Sequence, residues 1–311
     1  ALAYKAVNDW DRAAHCVEKA ATFLDRADIW SNVAGCYVNR GRPDKILPAA
    51  DRALALDPGH VKARWHKALA LLELGHWAEG WDLHEARLTG GANENIAERY
   101  YHGAQKTPFW DGKSRSRVVI HGEQGMGDEI MFASCVSDAI ATGADIIFEP
   151  SPRCQGLFAR SFPQAFVFGT DGVDGKGWIE DRGPPDYKCP LGSLPRFYRR
   201  SAEAFPGTSY LVPHPDKRAF WDGKLAALGP RLRVGLTWQG GVPSTRVETR
   251  SFHPRILSQL FRHDVQWVSL QYDETAVENV ADIEREFGVK IAHWPKAVAA
   301  RDPETGKPSD M

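Results

Sequence analysis

RVVIH at 117–121, GEQGMGD at 122–128, EIMFASCVSDAIAT at 129–142 and ADIIFE at 144–149 form the stretch on which the fold turns. The short β-branched run Arg117–His121 suits a buried parallel strand. Ile130, Ala133, Val136 and Ile140 recur at helical spacing, and Ala144–Glu149 reads as the next strand. Together they make a βαβ unit with a glycine-rich first turn. Such a turn aims backbone N–H groups from a helix start, a common place for an anion or other ligand. It is not a phosphate-binding loop of the Gly-Lys-Ser/Thr kind, so nucleotide triphosphate hydrolysis is not expected. It is also a poor dinucleotide fingerprint: Gly125 and Gly127 fit, but Ile130 stands at the third glycine position. Glu149 ends the second strand where a ribose-binding acid would sit, which keeps a dinucleotide-dependent enzyme as a minor alternative. In the plainest reading the glycines only permit a tight turn and Asp128 caps the helix. In the chemical reading, Glu123 and Asp128 disfavour a phosphate there and favour hydroxyl groups, and Asp128 can accept a proton from an attacking hydroxyl.

Working outward, Phe158, Phe162, Phe166 and Phe168 look like core or edge packing, and 169–196 reads as loops. LRVGLT at 232–237 begins a new strand and Trp238–Gly241 turns after it. Helical spacing resumes near Pro254–Phe261, then a strand at Gln266–Leu270, a helix over Glu274–Phe287 and a strand around Val289–Ala292. Alternating β and α elements imply mostly parallel sheets with helices on both faces.

Toward the N-terminus the pattern is a repeat. Tyr4 and Tyr37 lie 33 residues apart; Ala34 and Ala68, and Gly41 and Gly75, lie 34 apart. Small residues recur where helices would cross, aromatics such as Trp30, Tyr37 and Trp65 recur between them, and Asp57-Pro58 closes the second unit. Over residues 1–88 this resembles the tetratricopeptide repeat. The resemblance implies either a concave surface for a protein partner or a spacer. The first repeat starts inside its first helix, so a longer natural chain is expected. Residues 89–117, with PFWDG at 108–112, read as a linker packed by its aromatics.

Composition bounds the rest. Of 311 residues, 39 are Lys or Arg and 40 are Asp or Glu, a net charge of −1 that argues against a nucleic-acid partner. The 43% apolar and 25% charged content is that of a globular protein. No apolar stretch approaches the ~18 residues of a membrane span, and no signal peptide is visible. Five cysteines at wide spacings, without a CxxC pair, point to reduced thiols in the cytoplasm. No HExxH or strand-end DxD pattern occurs, so no metal is expected.

GEQGMGDEIMF at 122–132, PLGSLPR at 190–196, VGLTWQGG at 234–241, Arg250-Ser251 and VSLQ at 268–271 follow one another in this order, after GWDLHEAR at 80–87. Together they resemble the tetratricopeptide-linked, heptosyltransferase-like glycosyltransferases of the GT-B fold (glycosyltransferase family 9) and, more distantly, the O-linked N-acetylglucosamine transferases. The resemblance implies an α plus α/β architecture: repeats at 1–88, a linker at 89–117, a first Rossmann-like domain at 118–230 and an incomplete second one at 231–311. It implies sugar transfer from a nucleotide-sugar to a hydroxyl of a glycan or protein, without a cofactor. Asp128 is then the catalytic base, within an acceptor-side turn of Gly122, Glu123, Gln124, Gly125 and Gly127. Gln239, Gly240, Gly241, Arg250 and Gln271 are the implied donor contacts, since backbone N–H groups and a guanidinium can stabilise a leaving diphosphate. The competing reading is a non-catalytic repeat scaffold. With only about three strands after Leu232 and a turn-rich end at 301–311, these residues alone are not expected to turn over.

Overall fold

The computed structural model describes residues 1–89, 107–170, 179, 182–240, 251–271 and 275–295. They fall into two compact units, one within Ala1–Val212 and one within Pro213–Met311. The division lies at 212/213, not at the 230/231 boundary expected from sequence, because the helix Pro215–Ala226 belongs to the second unit.

The first unit opens with six helices: α1 (Leu2–Ala6), α2 (Trp10–Phe23), α3 (Ala27–Val38), α4 (Pro43–Leu56), α5 (Val61–Glu73) and α6 (Trp77–His84). Local chemistry sets their ends. Asp9 caps α2 by accepting from the Arg12 N–H at 3.1 Å, and Pro43 opens α4, where its missing N–H costs nothing. Gly41 and Gly75, one repeat apart, have φ of +59° and +80°, which a glycine adopts without strain. Each helix packs on the next, and α3 also packs on α5. Ala13, Ala14, Ala34, Ala49 and Ala50 are almost fully buried, so the helix axes approach closely around Val33, Tyr37 and Ile46. The Gly80 position admits no side chain, since a Cβ would meet Leu72 at 2.7 Å. Of the three aromatics expected between helices, Tyr37 is buried and bonds Glu18 at 2.6 Å, whereas Trp30 and Trp65 are half-buried.

The same unit carries a four-stranded, wholly parallel sheet in the order β3-β2-β1-β4, with β1 Arg117–His121, β2 Asp145–Glu149, β3 Phe166–Val167 and β4 Tyr187–Pro190. Val118, Ile120, Ile146 and Phe148 face one core with Phe132, Val136, Phe158 and Phe162; Trp81 of α6 and Trp110 enter that same core. Helix α6 is therefore packed onto the sheet. Val119 and Ile147 face the other way, against Phe166, Phe168 and Ile179.

Three local readings are corrected. The helix after the glycine turn begins at Met126, not Glu129, and passes through a 3-10 turn at Ala133–Cys135 before Val136–Ala141. Residues 187–190, expected as loop, form β4. Leu194–Tyr198, of which 194–196 were expected as loop, is a short helix. Of the expected linker, residues 90–106 lie outside the described residues, and Phe109 is exposed. Trp110 is buried, its backbone N–H donates to the Lys188 carbonyl at 2.8 Å, and the Lys188 N–H donates to the Pro108 carbonyl at 2.9 Å, so 108–110 covers the free edge of β4.

The second unit holds a parallel sheet β5-β6-β7, with β5 Arg233–Leu236, β6 Gln266–Ser269 and β7 Ile291–Ala292. The helix Ala276–Phe287 connects β6 to β7 and ends at Gly288, whose φ of +67° closes it. Its core comprises Leu236, Trp238, Phe261, Trp267, Val280, Ile283 and Ile291. No helix among the described residues is long and apolar enough to cross a membrane.

Candidate functional site

In the first sheet the strand order reverses between β1 and β4, and ligands of open parallel sheets bind outside the carboxyl ends of strands at such a point. The register pairs His121 with Glu149 and with Pro190, so the turns after β1, β2 and β4 meet at one end. The glycine turn lies there. Gly122 donates its N–H to the Glu149 carbonyl at 2.7 Å, and a Cβ on it would strike the Glu129 carboxylate, so only glycine fits. Glu129 is buried and accepts from the Ser151 N–H at 3.0 and 3.1 Å, tying the helix after β1 to the turn after β2. Gln124 has φ of +62°, a left-handed backbone that costs a non-glycine residue energy and often marks a functional turn.

Asp128 sits at the third position of its helix rather than before it. Its Oδ2 accepts from the Gly125 N–H at 3.1 Å, the reciprocal half of a capping box. The carboxylate is half-buried, and among the described residues no other hydrogen bond or ion pair involves it. Space beside Gly127 is open, with nothing within 4 Å of where a Cβ would be.

Glu123, the other acid of the turn, is placed differently from its expected acceptor-side role. It is fully buried. Its Oε2 accepts from Arg87 Nε at 2.9 Å; its Oε1 accepts from Arg87 Nη2 at 2.7 Å and from the Gly192 N–H at 2.6 Å. Burial alone would raise its pKa, but the Arg87 guanidinium outweighs that and holds the carboxyl below its usual range. Arg87 also reaches Ser193 Oγ at 2.9 Å, Glu85 at 2.7 Å and His84 Nδ1 at 3.0 Å. Arg87, His84, Glu85, Gly192 and Ser193 were not read from sequence as site residues.

Burial drives the pKa of His84 down to about 3, with Arg87 adding to the effect, and that of His121 down to about 4. Both rings are neutral in the fold but protonate near 6.5 when unfolded. Stability is therefore full above pH 6.5 and is lost as pH falls toward the folded values. At roughly 1.4 kcal/mol per unit for each ring, unfolding at pH 5 should show a loss on the order of 2–4 kcal/mol relative to pH 7. Equal urea midpoints at the two pH values would show that these histidines are not buried neutral.

In the second unit Trp238 is core, 2% exposed. Gln271, just beyond β6, is 1% exposed. Its Oε1 accepts from the Thr237 hydroxyl at 2.9 Å and from the Trp238 and Gln239 N–H groups at 3.1 and 3.2 Å; its Nε2 donates to the Gln239 carbonyl at 3.0 Å. Gln271 therefore shapes the turn after β5, a different part from the donor contact expected of it. Gly240 N–H lies 3.4 Å from Ser251 Oγ, and a Cβ there would meet nothing within 4 Å. Gly241 and Arg250 lie outside the described residues. Gln271→Leu should destabilise this unit by ~1–3 kcal/mol by taking the acceptor from three donors, the N–H of buried Trp238 among them, whereas Gln271→Glu should cost less. Equal denaturant midpoints for the two variants would remove Gln271 as the brace.

No family model matches the chain. It is 30% identical over 298 residues to protein FlbA of Caulobacter vibrioides, an alignment covering 91% of the chain and 47% of FlbA. The chain thus spans about half the length of that relative. Among solved structures, an O-GlcNAc transferase variant of Thermobaculum terrenum aligns over 94% of the chain and 72% of its own length, at 13% identity and a TM-score of 0.28. A superposition that loose does not establish a shared fold.

Proposed function

We propose that the chain is part of a glycosyltransferase that moves a sugar from a nucleotide-sugar to a hydroxyl acceptor, of the heptosyltransferase-like GT-B type to which its motifs are similar. One observation carries the reading: Asp128 is a half-buried carboxylate on a glycine turn at the carboxyl end of a parallel sheet, outside every ion pair among the described residues. Its neighbour Glu123 is consumed by Arg87, which leaves Asp128 as the acid of this turn able to take a proton. The dinucleotide alternative loses ground, because Arg87 and Glu123 bridge the turns after β1 and β4 where such a cofactor would lie. On the donor side, the proposal gives the turn Gln239–Gly241 the leaving diphosphate, with Gln271 holding the turn and Arg250 supplying charge.

In the proposed reaction Asp128 takes the proton of the acceptor hydroxyl as its oxygen attacks the anomeric carbon. The bond from that carbon to the diphosphate oxygen breaks, and the nucleoside diphosphate leaves with the electron pair. Calorimetric titration of the natural full-length protein with nucleoside diphosphates and nucleotide-sugars tests the reading. Binding with Kd near ~1 μM, about −8 kcal/mol, is expected; no heat with any of them would contradict it.

Gly127→Ala separates the turn's two uses. Ala is the better helix former and the site has room for its methyl, so the melting point should rise, by up to ~1 kcal/mol of stability. Acceptor use should fall, because the methyl would project into the open space beside the base. Unchanged transfer would place the acceptor elsewhere.

A further inference from the structure

The geometry points to Arg87, the last residue but one of the helical segment, as the positioning residue of the glycine turn; the assignment of a catalytic purpose rests on the proposed function. Arg87 lies in the 3-10 turn Glu85–Leu88 that follows α6, 36 residues before Glu123 and 106 before Ser193. It is wholly buried, yet four of its bonds leave the helical segment or close on its end: two to Glu123 after β1, one to Ser193 after β4 and one to Glu85. Ser193 Oγ in turn donates to Glu85 at 2.9 and 3.0 Å. Gly192 is needed for the approach: a Cβ there would come within 2.6 Å of Glu123 Oε1 and 3.1 Å of Arg87 Nη2.

The consequence is mechanical. Arg87 has a planar fork whose N–H groups must all be met once it is dry, so its place fixes Glu123. Glu123 precedes Gln124, which is held in a left-handed conformation, and Gly125, whose N–H orients Asp128. His84 lies tilted against Trp65 of α5 at 4.9 Å and edge-on to Trp81 of α6 at 5.3 Å, so the end of the helical segment grips the guanidinium from behind. Where other open parallel sheets leave the switch-point crevice for a ligand, this chain fills it with its own arginine. The repeats thereby set the geometry of the turn, and a partner that shifts α6 would shift Asp128.

The test compares Arg87→Lys and Ser193→Ala with the wild type in the natural full-length protein, by hydrogen exchange and by sugar-transfer kinetics. Lys is a point charge that cannot fork to Glu123 and Ser193 together, and Ser193→Ala removes one acceptor while leaving the ion pair, so it keeps the test usable if Arg87→Lys fails to fold. Exchange of the amides at 122–128 should accelerate ~10-fold, with α2–α4 unchanged, from the loss of one buried hydrogen bond. In kinetics kcat should fall ~10-fold from misplacement of the base while the donor KM holds. Protection at 122–128 equal to wild type, or lost equally throughout the chain, would overturn the positioning role. If the wild type transfers no sugar, the proposed function fails, and the exchange result still decides whether Arg87 orders the turn.

Discussion

Arg87→Met should cost ~3–5 kcal/mol of folding stability, the usual penalty for removing one partner of a buried ion pair. Both side chains of the Arg87–Glu123 pair are fully buried, with 2.7 Å between nitrogen and oxygen. Taking the guanidinium away leaves the Glu123 carboxylate dry, with the Gly192 N–H still on it but no positive charge to offset its desolvation. Ser193 and Glu85 lose a donor in the same step. The double variant Arg87→Met with Glu123→Leu should recover much of that loss, since an apolar pair of similar volume does not have to be desolvated. Equilibrium unfolding in urea measures both. A single-variant loss under ~1 kcal/mol would mean that water reaches the pair, because exposed ion pairs are worth no more than that.

Asp128→Asn should lower transfer ~10²–10⁴-fold, the range for a lost general base. The amide is isosteric and its oxygen can still accept from the Gly125 N–H, so the capping contact survives. That makes the variant informative: the helix-cap role and the base role predict different results. Were Asp128 only a cap, Asp128→Asn would leave transfer unchanged and Asp128→Ala would cost ~1 kcal/mol of stability. The melting curve of Asp128→Asn should overlie the wild type while turnover collapses.

The parallel strands β1, β2 and β6 were legible because each is a short β-branched or aromatic run that is mostly buried, whereas β5, exposed at Arg233 and Gly235, was legible only from the run LRVGLT ahead of a turn. The period of 34 was legible because Gly41 and Gly75 answer one backbone demand twice. β4 was not legible: Tyr187-Lys188-Cys189-Pro190 alternates no apolar pattern, and Lys188 is buried by laying its ammonium over the Phe109 ring at 4.9 Å. The helix start at Met126 was hidden because Gly127 lowers helix propensity, and the helix rests instead on the Gly125–Asp128 capping contact. The Arg87 network was hidden for a different reason. Its members lie in 84–87, at 123 and at 192–193, and no local periodicity relates them; only the fold brings them together. The one signal was the resemblance described above, which takes in GWDLHEAR at 80–87, GEQG at 122–125 and PLGS at 190–193.

The most direct test is release of nucleoside diphosphate coupled to sugar addition, followed by mass spectrometry for the natural full-length protein and its Asp128→Asn variant side by side. The expected result is one sugar mass added to a hydroxyl acceptor per nucleoside diphosphate released by the wild type, and a loss of ~10²-fold or more in the variant. Equal release and equal addition by both proteins would contradict Asp128 as the base, and no addition by the wild type with any nucleotide-sugar would contradict the glycosyltransferase itself.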